Sequence, residues 1–385
     1  MAPASRRKKI TDALITAALA AAAGALCAYP AESVDAARGG LALCANVIVP
    51  SLFPFFVLSS LVVETGVTRF LSRAAERVMR PLFGVGGGCA AAFALGFVGG
   101  YPVGAKTVIS LYEGGECTKT EAERLLSFCS NSGPAFIFGV VGAGVFASGR
   151  IGLLLYLAHT AASVLVGIIF RGWGGKSGLG AARPAPPRKK KTFSAAFAEA
   201  VRSSFLSTLN ICGFVIFFTV FIRLLFLSGA LPAISGLIGR LFAPLGLGAG
   251  PAESLLTGVI EISSGVWTLK GAAGHLTGSV AMAAFMLGWA GLSVHSQVLS
   301  FIGESGLSAG TYILGKLLQG VISAALIFVT ARFINLSVPA AVVLAGQVDV
   351  YSGITFGRAL AASSIGAAVT LGLFALLAWW VDRRW

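Results

Sequence analysis

The side chains of this chain that could do chemistry are ionisable or amide groups set inside apolar stretches, where an unpartnered charge costs about 2.5–3.5 kcal/mol or more. Lys106 follows the tip sequence Gly99-Gly100-Tyr101-Pro102-Val103-Gly104. Its ammonium can hold a carboxylate, or it can run along its own stem to the membrane surface; the sequence leaves both readings open. Glu261 lies between Ile260 and Ile262, with Ser263 and Ser264 just beyond. A carboxylate there must stay protonated or find a cation, which points to coupling or gating, with a structural hydrogen bond as the alternative. Ser293, His295 and Gln297 give the stretch Gly288–Gln297 a polar lining, and Asn131 and Ser132 do the same for Ser130-Asn131-Ser132-Gly133-Pro134. With Gly100, Tyr101, Pro102 and Gly104 these are the candidate substrate-binding residues. Arg223, near the end of its span, reads as an interface anchor. The chain carries no nucleophile–base spacing, phosphate loop or paired catalytic carboxylates, and His159, His275 and His295 are too far apart to make a ligand pattern. The expectation is a non-enzyme without a metal or cofactor, apart from a coupling ion, Na+ or H+.

These groups need elements that bring backbone and polar side chains to membrane depth. The stretch from about Gly88 to Tyr112 has two apolar arms around the glycine–proline tip. Each arm is about half of the ~20 residues a spanning helix needs, so the shape predicted is a re-entrant hairpin. The next segment, Leu125–Phe146, carries the Asn131–Pro134 break near its middle. Proline removes a backbone donor and glycine loosens the helix, and bare backbone at that depth is tolerated only inside protein or along a watery cavity.

Composition agrees with a membrane setting. Of 385 residues 56% are hydrophobic and 11% charged, and the net charge is +14. A soluble domain carries about 25% charged residues. The basic residues cluster beside apolar segments instead of along one face, which argues for positive-inside topology and against nucleic-acid binding. The six cysteines show no CxxC and sit mostly in apolar runs, as small hydrophobes.

The pattern predicts an all-α, multi-pass membrane protein with eight spans and two hairpins in inverted repeats. The spans are Ile10–Tyr29, Leu41–Val63, Leu125–Phe146, Ile151–Phe170, Phe205–Leu227, Ser279–Phe301, Tyr312–Phe333 and Leu360–Val381. Arg69, Arg73, Arg77 and Arg80 recur at helical spacing and predict an amphipathic surface helix before the first hairpin. The Glu113–Arg124 segment reads as a cytoplasmic loop. The expected organisation is an N-terminal span (1–40), a first repeat (41–171), a basic cytoplasmic linker (172–204), a second repeat (205–333) and a C-terminal span (334–385). The repeat rests on matches at an offset of just over 160 positions: Leu95-Gly96-Phe97-Val98 and Gly104 against Thr257-Gly258-Val259-Ile260 and Gly265. The second hairpin is then Ala252 to Lys270, with its tip at Glu261–Gly265, and the second break is Gly288–Gln297. Paired short, glycine-interrupted segments in two halves are the sequence mark of a secondary transporter with a midplane site.

The stretches Val49-Pro50-Ser51-Leu52-Phe53-Pro54-Phe55-Phe56, Gly99–Lys106, Glu121-Ala122-Glu123-Arg124-Leu125 and Gly291–Gln297, with the spacing between them, resemble the sporulation integral membrane proteins called YlbJ or stage V sporulation protein V. That family looks related to nucleoside-recognition gate domains and, more distantly, to concentrative nucleoside transporters. The resemblance implies movement of dipicolinate, a small planar dianion, across the outer forespore membrane. One departure stands out: the family often has Asn-Pro at the first break, where this chain has Ser132-Gly133-Pro134 after Asn131. A nucleoside or other small metabolite as cargo, or a scaffold for spore envelope assembly, remain the alternative readings. The small substrate and the bilayer are the expected partners, and the sequence leaves the oligomeric state open.

Overall fold

The computed structural model describes residues 3–64, 67–175, 192–242, 248–271, 276–334 and 336. The expected C-terminal span Leu360–Val381 and the Pro184–Lys191 part of the linker lie outside them. Among the described residues all the regular secondary structure is helical. The chain starts with α1 (Pro3–Ala28) and α2 (Pro30–Leu43), continues through a π-helical turn, Cys44–Ile48, into α3 (Val49–Glu64), and then forms α4 (Val67–Phe83). Pro54 sits inside α3 without ending it, and the irregularity of this span lies upstream in the π turn. The arginine-rich stretch is α4, as its spacing predicts.

The first hairpin is α5 (Ala90–Gly99) and α6 (Val103–Glu113). The expected loop after it is partly a helix, α7 (Lys119–Leu126), because Thr118 and Glu121 form a capping box that satisfies amides at its start. Next come an unwound segment, a π-helical stretch Ala135–Val145, and α8 (Gly149–Ile169). The second half holds α9 (Phe193–Leu227), α10 (Ala230–Phe242), the second hairpin α11 (Ala249–Ile260) and α12 (Ile262–Trp267), then α13 (Leu276–Trp289), α14 (Gly291–Ser305) and α15 (Gly310–Thr330).

Among the described residues, four helical runs are long and apolar enough to cross a membrane: Gly149–Gly172, Phe193–Leu227, Leu276–Ser305 and Gly310–Thr330. Two bent pairs, Asp12–Ala28 with Pro30–Asn46 (98°) and Ala75–Phe83 with Gly87–Gly99 (94°), would raise this to six. The second of these pairs is the approach to the first hairpin. At its glycine tip the chain turns back, and α5 and α6 pack on each other.

The order of elements repeats. From α3 to α8 the chain runs helix, amphipathic helix, hairpin, helix, break, helix, helix; from α9 to α15 it does so again. Counterparts pack on one another, α3 on α9 and α8 on α15. The second arm of each hairpin also packs on the helix after the other half's break: α6 on α14, and α12 on the Ala135–Val145 stretch. Reciprocal contacts of this kind are what two halves related by a pseudo-two-fold axis make.

Candidate functional site

Each hairpin closes through glycine. A methyl built on Gly96 or Gly104 would lie 1.8 Å from the Cys129 carbonyl oxygen, so both arms of the first hairpin close over that one carbonyl. In the second hairpin a methyl on Gly265 would lie 2.1 Å from the Gly258 Cα. These are the four glycines matched by the repeat, and only a residue without Cβ allows the approach. Each tip then rests on its own half's break. Gly100 (φ +74°) faces the Gly133 backbone, and Gly291 (φ +81°) faces the backbone of Ile260, Glu261 and Ile262.

The first break spans residues 127–133, without helix. Its buried polar backbone finds partners one group at a time, as it must away from water. The Phe128 carbonyl accepts from Asn131 Nδ2 at 2.8 Å and Ser163 Oγ at 2.7 Å; the Ser132 amide donates to His159 Nε2 at 3.1 Å. The Phe128 ring anchors the segment against Phe83 at 4.6 Å and Phe93 at 5.8 Å between ring centres. The Ser130 carbonyl takes the ammonium of Lys316, from α15, at 2.7 Å.

Lys316 is 0% exposed. Besides Ser130 O it donates to Gln319 Oε1 at 2.7 Å and Tyr101 Oη at 3.1 Å, and it lies 4.8 Å from the Tyr101 ring centre. Gln319 Nε2 continues the network to Asn131 Oδ1 at 2.8 Å, and Tyr101 donates its own proton to Leu287 O on α13 at 2.5 Å. One cation thus ties together the first tip, the first break and α15. It forms no ion pair with a described residue. Close packing holds α15 in place: a methyl on Gly315 would lie 2.3 Å from Ser127 O, and one on Gly288 would lie 2.5 Å from the Gly320 Cα.

The second break differs from the expectation. It is confined to the left-handed pair Ala290 (φ +80°) and Gly291, and Gly291–Gln297 is already the first part of α14. A local kink of two residues suffices because the Trp289 indole N–H donates to the Val259 carbonyl at the end of α11, at 3.1 Å, and pins the bend. His295 sits edge-on to Trp289 at 4.3 Å between ring centres, and its Nδ1 is 3.0 Å from the Tyr312 hydroxyl. Its Nε2 has no partner among the described residues, nor does the hydroxyl of buried Ser293; Gln297 is buried on the same helix. Glu261 is 1% exposed and caps α12, accepting from the Ser263 and Ser264 amides at 3.0 and 2.7 Å. Those two bonds give its carboxylate the structural partner that the sequence held as the alternative, and the serines contribute amides to it.

Lys106 lies elsewhere. Its ammonium donates to Ser207 Oγ at 2.6 Å in a cavity of about 160 Å³ between α3, α6 and α9. The cavity is lined by Ser60, Pro102, Thr107, Ser110, Ser203 and the exposed Glu199, among others. Arg124, on α7, is 3% exposed and donates to the carbonyls of Gly84, Trp173 and Gly175 at 2.7, 2.8 and 2.5 Å. Burial pushes its guanidinium below the ordinary range, and nearby Glu121 pulls it back up.

The structure therefore gathers Gly100, Tyr101, Asn131 and Ser132 around one buried network, and leaves Pro102 and Lys106 in a separate cavity. Glu261, Ser263 and Ser264 form a third group at the second tip, beside the helix that carries Ser293, His295 and Gln297. Gly104 faces the Cys129 carbonyl, not open space. Sequence reasoning missed Lys316, Gln319 and Tyr312, and treated His159 only as a failed metal ligand. The signal was present: Tyr312, Lys316, Gln319 and Ser323 recur at four, three and four residues, a polar stripe along an apolar span, and all four are buried.

Residues 45–172, which hold the first hairpin and the first break, match the family described as Gate: Nucleoside recognition. In fold the chain is similar to CNTnw, a concentrative nucleoside transporter, in an outward-facing state: TM-score 0.50 at 14% identity, covering 86% of this chain and 88% of that one. Over 333 residues the chain is 32% identical to the sporulation integral membrane protein YlbJ of Bacillus subtilis, covering 82% of each chain. Identity at that level across both halves carries beyond a shared fold, and the chain belongs to the YlbJ family of multi-pass sporulation membrane proteins, with a transporter-like architecture.

Proposed function

We propose that this protein is a secondary transporter of a small organic anion, with dipicolinate crossing the outer forespore membrane as the cargo that its family suggests. The observation that carries this reading is the Lys106 cavity. It has room for a small planar molecule, and a lysine and several hydroxyls face into it next to the hairpin tip. An ammonium among hydroxyls recognises a carboxylate by charge-assisted and neutral hydrogen bonds together. Because Pro102 lines the cavity, a ligand there touches the tip and can bias how it sits on the break. The match to a nucleoside-recognition family favours a second reading, in which the hydroxyls bind a neutral nucleoside and Lys106 is incidental.

Flux of radiolabelled dipicolinate into proteoliposomes, set against a nucleoside, decides between the two. On the anion reading Lys106→Ala weakens dipicolinate affinity about ten- to a hundredfold, the worth of a desolvated charged hydrogen bond of about 1.5–3 kcal/mol, and leaves a neutral analogue unaffected. Equal losses for charged and neutral ligands would remove Lys106 from the site. Nucleoside flux without dipicolinate flux would overturn the anion reading.

A further inference from the structure

Unwinding a helix inside a membrane frees carbonyl oxygens, and these commonly hold a cation. Here the cation on the unwound segment is part of the protein. We propose that the Lys316 ammonium is a tethered cation, occupying the position that a free monovalent metal ion would take between the first hairpin tip and the first break, so that this protein closes that contact without sodium. The proposal rests on the transporter reading only where it bears on coupling.

The hydrogen-bond directions fix the charge. The Phe128 carbonyl can only accept, so Asn131 must turn its Nδ2 toward it and present Oδ1 to Gln319. Gln319 must then point Nε2 at Asn131 and Oε1 at Lys316. Tyr101 has given its proton to the Leu287 carbonyl, so toward Lys316 it can only accept, and the Ser130 carbonyl can do nothing else. Three acceptors at 2.7, 2.7 and 3.1 Å require three N–H donors, which the ammonium has and a neutral amine does not. His159 offers no competing charge: its Nε2 accepts from the Ser132 amide, so the proton is on Nδ1, which has no partner among the described residues. The surroundings of Nζ are thus oxygens from a backbone carbonyl, an amide and a phenol, with an aromatic face at 4.8 Å. A monovalent cation uses the same kind of shell. Unlike a metal ion, this one cannot leave down a gradient, so this contact does not couple transport to a sodium gradient.

The test uses purified full-length protein in detergent, which makes it independent of the cargo. Thermal unfolding is followed while sodium, lithium or methylammonium chloride replaces choline chloride at constant ionic strength. Wild type should show no saturable shift with any of them. Lys316→Ala, which leaves a cation-sized vacancy on the same oxygens, should melt lower and be raised by about 2–4 °C, saturably, by methylammonium or a small alkali cation. Lys316→Met should melt lower and respond to none, because its side chain fills the vacancy without charge. A saturable sodium stabilisation of wild type would overturn the proposal, as would a Lys316→Met protein as stable as wild type. Should the alanine variant not fold, the wild-type titration and the methionine variant still decide. Absence of dipicolinate flux would count against the proposed cargo and leave these results standing.

Discussion

Replacing Gly104 by alanine should unlatch the first hairpin. The added methyl would lie 1.8 Å from the Cys129 carbonyl oxygen, 2.7 Å from its carbon and 3.0 Å from the Gly96 Cα. All three are backbone atoms, so no side chain can rotate away. Ordinary contact begins near 3.4 Å, so α6 must move by at least about 1.5 Å off the break. Overpacking of this kind costs about 3 kcal/mol. Gly213 on α9 is the control, since nothing lies within 4 Å of a methyl there; alanine should gain about 0.5–1 kcal/mol from reduced backbone freedom in the unfolded chain. The two variants should differ by about 4 kcal/mol, or roughly 8 °C at about 2 °C per kcal/mol for a chain of this size. Thermal unfolding of both in one detergent measures the difference. If Gly104→Ala melts within a degree of wild type, the closure over Cys129 is refuted. If it is stable yet transports nothing, Gly104 acts at the substrate and not in packing, as its place at the tip suggests from sequence.

Glu261→Gln should lower stability by about 1–3 kcal/mol, because Ser263 and Ser264 donate to different carboxylate oxygens and the glutamine nitrogen cannot accept from either amide; unchanged gradient dependence of flux in Glu261→Gln would complete its assignment as a cap, and altered dependence would restore it to coupling. Arg124→Lys should cost about 3 kcal/mol or more, because a single ammonium cannot reproduce the guanidinium fork that spans three carbonyls; unfolding midpoints measure this, and an unchanged midpoint refutes it. A cysteine placed at Pro184–Lys191 should react with membrane-impermeant reagent only from the cytoplasm, as should one at Trp385, given the basic clusters there; labelling of the two from opposite sides would overturn the span count and the inverted repeat with it.

The sequence by itself determined the membrane class, the two short apolar hairpins and the matched glycines Gly96, Gly104, Gly258 and Gly265. These are written in composition and spacing, and a missing Cβ has the same meaning wherever the chain goes. It also marked the first break, because proline and glycine forbid regular helix locally. Its picture of the second break was too broad, since the left-handed turn at Ala290 depends on Trp289 reaching the Val259 carbonyl, a contact 30 residues away. Only the tertiary structure decided the partners. Lys106 and Lys316 are both lysines in apolar surroundings, and nothing near either in sequence tells a cavity wall from a sealed network. That depends on α9 bringing Ser207 to one, and on the tip and the break, more than 180 residues upstream, bringing Tyr101 and Ser130 to the other. A buried charge is defined by the oxygens that replace its water, and here those oxygens come from parts of the chain that meet only when it folds.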